Sequence, residues 1–303
     1  MSKRLADRAR ILREIRGFFA SRGFLEVETP IVVPSPGSDL HLDAFRLMGS
    51  RELYLATSPE YQMKRLLADG HRRIHQISRV FRQGEFGALH NPEFTMLEWY
   101  RAPGTMTDVM ADTEQVAARV TGGLITLNGR KIPMLPPFER MSIVDAFVQT
   151  AHVAESDVVA WAANDEDRFY RVLVETVEPA LARLNRPLFI HRYPIQQASL
   201  ARPCDDDPRF AERFELWVAG VELCNGFGEL TDAAEQRRRL ENDAAHRRYL
   251  AKDVYPIDER FLAALETGLP PCAGNALGLD RLAALSLGLE TIDEVVAFRF
   301  DEL

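Results

Sequence analysis

The sequence predicts an α+β protein in which an antiparallel β-sheet is flanked by helices. Three observations carry that prediction. Strand-like runs come in adjacent pairs, 74–81 with 94–100 and 214–218 with 221–230, each pair joined by a turn or loop. Helical patterns come in blocks between those pairs instead of alternating with single strands, which argues against a doubly wound parallel sheet. No Gly-x-Gly-x-x-Gly or Walker loop opens any helix, so a bound nucleotide would need some other cradle.

In chain order, Ile11, Leu12, Ile15, Phe18 and Phe19 recur at helical spacing, and Gly23 ends the helix before an extended stretch at 24–28. Thr29-Pro30 breaks that strand, and Pro34-Ser35-Pro36-Gly37 reads as an ordered loop. A short strand at 53–56 precedes Ser58-Pro59-Glu60, which supplies a cap, a first-turn proline and a first-turn acid for a helix running to Ala68. Residues 104–195 read as mainly helical, punctuated by Pro133, Pro136 and Pro137, with no chemistry evident in them. Ala219-Gly220 fits a tight hairpin turn, and Thr231-Asp232 caps a charged helix to about Lys252 whose Arg and Glu density reads as a solvated face. A strand at 272–277 and an apolar helix at 279–287 complete the pattern.

Composition narrows the function classes. A hydrophobic fraction of 46% with 27% charged residues can furnish a core, and a net charge of −8 lacks the basic excess of a dedicated nucleic-acid binder. Cys204, Cys224 and Cys272 stand too far apart for a C-x-x-C zinc spacing or a disulfide framework, which points to reduced thiols and a cytoplasmic setting. No apolar run approaches the ~18 residues of a membrane span, and the N-terminal stretch has no apolar signal region.

Three constellations could carry chemistry. In a strand over 94–100, Phe94, Met96, Glu98 and Tyr100 share one face, so a carboxylate and a phenol lie beside an aromatic platform that could receive a ligand ammonium. An ordinary salt bridge to Arg79 or Arg82 would explain the segment equally well. If Ala219-Gly220 is a two-residue turn, Trp217 pairs with Glu222 and places Glu215 diagonally beside it. Two such acids suit Mg²⁺ carried with phosphates, or else lie exposed at a sheet edge. Gly278 at a strand-to-helix junction with Arg281 just inside the helix could bring backbone and a guanidinium to a phosphate, although a lone Arg there is as readily a surface residue.

Taken together and in this order, the segments resemble the three motifs of class II aminoacyl-tRNA synthetases of the lysyl type. Gly23-Phe24-Leu25-Glu26-Val27-Glu28-Thr29-Pro30 resembles motif 1, which in that family builds a homodimer interface; Arg82 to Tyr100 resembles motif 2, and Gly278-Leu279-Asp280-Arg281 motif 3. The runs from Thr57 to Leu66 and from Glu222 to Leu230 match in the same way. The resemblance implies a class II catalytic domain over 1–303, with ATP and Mg²⁺ as cofactors. It implies that Arg82 meets the ATP α-phosphate, Phe94 stacks on adenine, Arg281 meets the outer phosphates, and Gln83, Gly84, Asn91, Leu223 and Gly278 line the nucleotide site. Glu215 and Glu222 resemble metal ligands, Glu222 also facing ATP. Glu60, Glu98, Tyr100 and Glu229 resemble the residues that hold a lysine-like substrate by its two ammonium groups, and by the same resemblance Ser58, Pro59, Asn225 and Ala276 belong to the amino-acid site. Gly84 stands where the synthetases place Glu, with Glu85 one step later; Gly228 replaces their usual Ser or His, and Ala276 their usual Gly.

Synthetase-like sequence begins almost at Met1, where lysyl-tRNA synthetases carry an N-terminal oligonucleotide-binding barrel. The expectation is therefore a catalytic domain without an anticodon-binding domain, resembling the synthetase paralogues that attach (R)-β-lysine to a lysine of translation elongation factor P. It implies an ATP-dependent ligase acting through an aminoacyl-adenylate, with elongation factor P as acceptor, no tRNA and no membrane. The alternatives are a tRNA-charging enzyme, a catalytically inactive paralogue acting as a regulatory subunit, and a nucleic-acid-binding module.

Overall fold

The computed structural model describes residues 2–37 and 39–303. Its main sheet comprises β1 (Leu25–Glu26), β2 (Arg73–Phe81), β3 (Glu93–Arg101), β4 (Glu139–Ser142), β5 (Leu188–Pro194), β6 (Phe210–Val218), β7 (Val221–Gly228) and β8 (Ala273–Gly278). Across the sheet the order is β1-β2-β3-β8-β7-β6-β5-β4. The two edge pairings, β1 with β2 and β4 with β5, are parallel, and every pairing between them is antiparallel. The expected α+β class holds.

Each expected hairpin forms for the reason its sequence supplies. Ala219 and Gly220 both take positive φ, +52° and +86°, the geometry of a tight two-residue turn, and Val218 pairs with Val221 and Trp217 with Glu222. The register then slips by one residue, so Leu216 faces Cys224 and Glu215 faces Asn225. That bulge, which no spacing rule announced, re-aims the acids of β6 and β7 relative to each other.

Six strands consequently share one transverse row: Gln76, Glu98, Ala276, Asn225, Glu215 and Ile190 are successive register partners. Strands lie about 4.8 Å apart, so Glu98 and Glu215, three steps apart in that row, are separated by roughly 15 Å of sheet. One sheet face thus carries two acidic stations a fixed distance apart.

The opposite face is covered by helices. In α1 (Ser2–Ser21), Ile11, Ile15, Phe18 and Phe19 are buried, and Phe19 packs against Phe24 and Trp99. Thr105 and Asp108 form a reciprocal capping box at the start of α3 (Met106–Thr121), after α2 (Glu60–Ala68). Leu97 and Trp99 point into this core while Phe94, Met96, Glu98 and Tyr100 take the other face, the alternation expected for a strand. Each fully buried Phe or Leu there contributes about 1.5–3 kcal/mol relative to exposure.

Two expectations need correction. The stretch 104–195 is not only helical: it holds a hairpin (Leu124–Leu127 with Arg130–Pro133), β4 and β5, and a second core around Phe147 and Phe169. It also contributes to the site described below. The charged helix α4 (Ala233–Tyr249) is not merely a solvated face. Arg247 is fully buried, donating to the carbonyls of Asp39, Leu42 and Asp253 at 2.7, 3.0 and 2.6 Å and pairing with Asp43 at 2.6 Å. Arg239, also buried, donates to the carbonyls of Ala198 and Ala201 at 2.8 Å each. Backbone carbonyls of two loops, which sequence periodicity cannot foresee as partners, draw these guanidinium groups inward.

Two further helices matter below. α5 (Glu259–Glu266) packs on α2 through stacked rings of Tyr61 and Phe261, and α6 (Leu279–Ser286) follows β8 directly. Among the described residues no helix is long and apolar enough to cross a membrane.

Candidate active site

A large cavity, about 850 Å³, opens on the sheet face that carries the acidic row. Ser58, Glu60, Arg82, Glu85, Phe94, Glu215, Glu222 and Arg281 all reach it, together with Asn91, Leu223, Asn225, Ala276 and Gly278. Residues 35–37, 39–42 and 196–200, in the loops that Arg247 and Arg239 hold, also line it.

At one end lies a dry acidic group. Glu98 is 1% exposed; its Oε1 accepts from Ser58 Oγ at 2.6 Å and its Oε2 from the Tyr100 hydroxyl at 2.9 Å. Burial first, then the nearby Glu60 charge, pushes its carboxyl up to about 8 despite those hydrogen bonds. Glu229 is equally buried, its carboxyl raised to about 7 by burial against the pull of Lys64. Glu229 Oε1 has no hydrogen-bond partner, an open acceptor in a dry place. Gly274 allows the packing here: a Cβ at that position would collide with the Tyr100 ring and stand 2.8 Å from Glu229 Oε1. Gly274 carried no signal in the sequence, because the need for it arises only where three strands bring Tyr100 and Glu229 together.

At the other end stand the arginines. The Arg82 guanidinium lies 5.1 Å from the centroid of the Phe94 ring, and its Nε is buried without an acceptor. Arg281 donates to the carbonyls of Glu222 at 2.8 Å and Leu89 at 3.2 Å and meets His90 Nε2 at 2.7 Å. Burial and then the Arg281 charge lower the His90 pKa, which keeps that ring neutral and able to accept. Asp280 anchors the start of α6, accepting from the Thr95 backbone at 2.8 Å and pairing with Arg8 at 2.6 Å. Both arginines face one cavity, and each keeps donors for an anion.

Glu215 and Glu222 differ more than their spacing implied. Arg213 and the Tyr193 hydroxyl reach the two Glu215 oxygens at 2.6 Å each, and Trp217 Nε1 adds a contact at 3.0 Å. The Glu222 carboxylate has, among the described residues, an ion pair with Arg281 at 3.6 Å alone, and burial together with the Glu215 charge raises its carboxyl. Among the described residues no set of three His, Cys, Asp or Glu side chains is grouped to hold a metal by itself, so a cation at Glu222 needs oxygens from a bound substrate.

Not every expected residue faces the cavity. Pro59 borders a separate small crevice with Thr29 and Pro30. Gly84, at φ +83°, and Gln83 stand off the cavity wall, and the Gln83 backbone amide donates to the Asp43 carbonyl at 2.6 Å. Glu85 reaches the cavity in their place, 3.7 Å from Arg82. Glu98, Tyr100 and Glu229 sit one layer behind Ser58 and Glu60. The Asn91 amide serves the chain itself, donating to Glu93 O at 2.6 Å and accepting from Phe300 N at 3.1 Å. Lys64, Arg213, His90 and Tyr193 were not singled out by sequence; only the register and the α2 contacts reveal them.

The match to a family model now decides the affiliation: the model for class II tRNA synthetases (D, K and N) covers residues 1–301. The chain belongs to the class II tRNA synthetase family. Members similar to it include the elongation factor P–(R)-β-lysine ligase of Proteus mirabilis (strain HI4320), 43% identical over 97% of this chain and 94% of the relative. The protein of the same name from Edwardsiella ictaluri (strain 93-146) is 44% identical over 98% of this chain and 95% of its own length. That of Hamiltonella defensa, at 41%, covers 97% and 94%.

Proposed function

We propose that this class II family member is an ATP-dependent ligase that activates (R)-β-lysine as its adenylate and transfers the β-lysyl group to a lysine ε-amine of elongation factor P. One observation carries the reading: two arginines with donors to spare line a cavity that Ser58 and Glu60 also line, with the buried acids Glu98 and Glu229 directly behind, and relatives over 40% identical across nearly their whole length bear that name.

In the first step a carboxylate oxygen of (R)-β-lysine attacks the α-phosphorus of ATP, and the bond from that phosphorus to the pyrophosphate oxygen breaks. Arg82 offsets charge on the α-phosphate, Phe94 offers a stacking face, and Arg281 holds the departing pyrophosphate. Glu60, Glu98 and Glu229 fix the two ammonium groups, so the carboxylate arrives pre-oriented. In the second step the acceptor amine attacks the adenylate carbonyl, AMP leaves, and the new amide loses a proton. No covalent nucleophile is needed; Cys224 is 2% exposed and burial pushes its thiol up to about 12. Glu222, with Glu215 behind it, fits the Mg²⁺ that ATP carries, which when bound supplies charge neutralisation at the phosphates.

The family also charges tRNA, so the acceptor is the point to test. Purified protein is incubated with ATP, (R)-β-lysine or lysine, and either elongation factor P or tRNA. Amide-linked label on elongation factor P supports the reading; label on tRNA alone, or no amino-acid-dependent pyrophosphate exchange, overturns it. A homodimer through the motif 1 segment belongs to the same proposal, and sedimentation at micromolar concentration tests it.

A further inference from the structure

Lys64 is fully buried on α2, and its Nζ lies 2.6 Å from Glu60 Oε1 and 2.6 Å from Glu229 Oε2. These two acids are among those assigned above to the substrate's ammonium groups, yet the protein already supplies one cation between them. The geometry points to Lys64 as a positioning residue that bridges Glu60 and Glu229 and holds them a fixed distance apart, so that the pocket selects a doubly charged amino acid. The inference rests on reading this pocket as the amino-acid site.

The physical case starts from the crowd around the ammonium. Glu60 faces it from its own helix and Glu229 from the end of β7, with Glu98 and Tyr100 on β3, Arg202 near Glu229, Cys272 ahead of β8, and the Phe261 ring of α5 at 5.8 Å. The Glu60 charge raises the two dry carboxyls, Glu98 and Glu229, beyond what burial does, and a carboxyl that takes up a proton no longer offers an ammonium a charged acceptor. Lys64 opposes that: it is the largest factor lowering Glu229, while the two acids raise Lys64 in turn. With the lysine counted, Glu60, Glu98 and Glu229 leave a formal charge of −2, which the two ammonium groups of a diamino acid cancel. A monoammonium substrate would leave one buried charge unpaired. Glu229 Oε1, without a partner, remains as the acceptor for the incoming group while Lys64 holds Oε2.

Lys64→Met and Lys64→Gln test this in the whole enzyme. Pyrophosphate exchange is followed across pH for wild type and both variants, with (R)-β-lysine varied at saturating ATP and with ATP varied. The expected result is that the midpoint of 1/KM for (R)-β-lysine moves up by about one pH unit or more, with KM at neutral pH raised about tenfold, while KM for ATP stays within about twofold. Folded variants with an unmoved midpoint, or variants that both fail to fold, would assign Lys64 to the architecture of α2 alone and overturn the inference. Absence of exchange in wild type would overturn the functional reading itself, which separates the two failures.

Discussion

The two ends of the cavity present charge in opposite ways. At the proposed phosphate end Arg82 and Arg281 keep 23% and 21% of their side chains in solvent, and Glu222 36%. They are held by neighbours that a ligand can supplement: carbonyl oxygens, a neutral histidine and the face of Phe94. At the proposed amino-acid end Glu98 and Glu229 are 1% exposed and Lys64 is fully buried, while Ser58 and Glu60 line the cavity in front of them. ATP brings its own strong charge and its own metal, so a half-wet pair of guanidinium forks is enough to receive it. A free amino acid is small, and discrimination among similar ones requires dry partners whose unpaired state is costly. On the proposed reading, the difference in burial is a division between affinity and selectivity.

The sharpest way to break that contrast is to remove a phosphate-end fork. Arg82→Ala should lower kcat for pyrophosphate exchange by about 10²–10³, with KM for the amino acid little changed, as steady-state kinetics with each substrate varied will read. Next is the buried end: Glu98→Gln should raise KM for (R)-β-lysine by about 10²-fold, in keeping with the ~2–5 kcal/mol cost of breaking a buried charge pair, and leave KM for ATP near wild type. If Glu98→Gln instead raised both constants equally, the two ends would not be separable. A smaller effect is expected from Gly274→Ala. Its methyl group must displace Tyr100 or Glu229, at a cost of about 1–3 kcal/mol for overpacking, read as a lower Tm and a KM increase of about tenfold confined to the amino acid.

The mildest expected effect is a pH dependence. Glu98 and Glu229 stand near 8 and 7 in the free protein, above the ordinary 4.5. Binding of ammonium groups requires them ionised, so kcat/KM for the diamino acid should climb between pH 6 and 8, several-fold, whereas KM for ATP should stay flat. The same shift sets the sign for stability. A carboxyl whose folded pKa is raised binds more protons folded than unfolded, so its contribution is full below about 4.5 and is lost as pH rises through 8. The free protein's Tm should therefore fall over that window, and saturating (R)-β-lysine should restore it; a Tm that rises from pH 5 to 8 would contradict the assignment.

The contrast also explains what could be read before the structure. The hairpins, the face shared by Phe94, Met96, Glu98 and Tyr100, and the pairing of Trp217 with Glu222 follow from strand alternation and one turn, which are local rules. Arg82 and Arg281 were legible through the resemblance because their motifs are contiguous in the chain. The acidic end was only half legible. Lys64 sits in an ordinary amphipathic helix whose register against β7 is a tertiary fact, and Gly274 is one glycine among 18. Arg239 and Arg247 misled for the same reason: a charged helix looks solvated until the loops whose carbonyls it serves are in place. The slip between Leu216 and Trp217 likewise has no local cause, yet it sets Glu215 opposite Asn225 and shifts it relative to Glu222 on the neighbouring strand.

The central claim is that the acidic end is built for two positive charges beside a triphosphate site. It is tested most directly by pyrophosphate exchange with (R)-β-lysine against an analogue whose side-chain ammonium is replaced by a methyl group. The account predicts robust exchange with the first and a loss of at least about 10²-fold in kcat/KM with the second. Comparable exchange with both would contradict it.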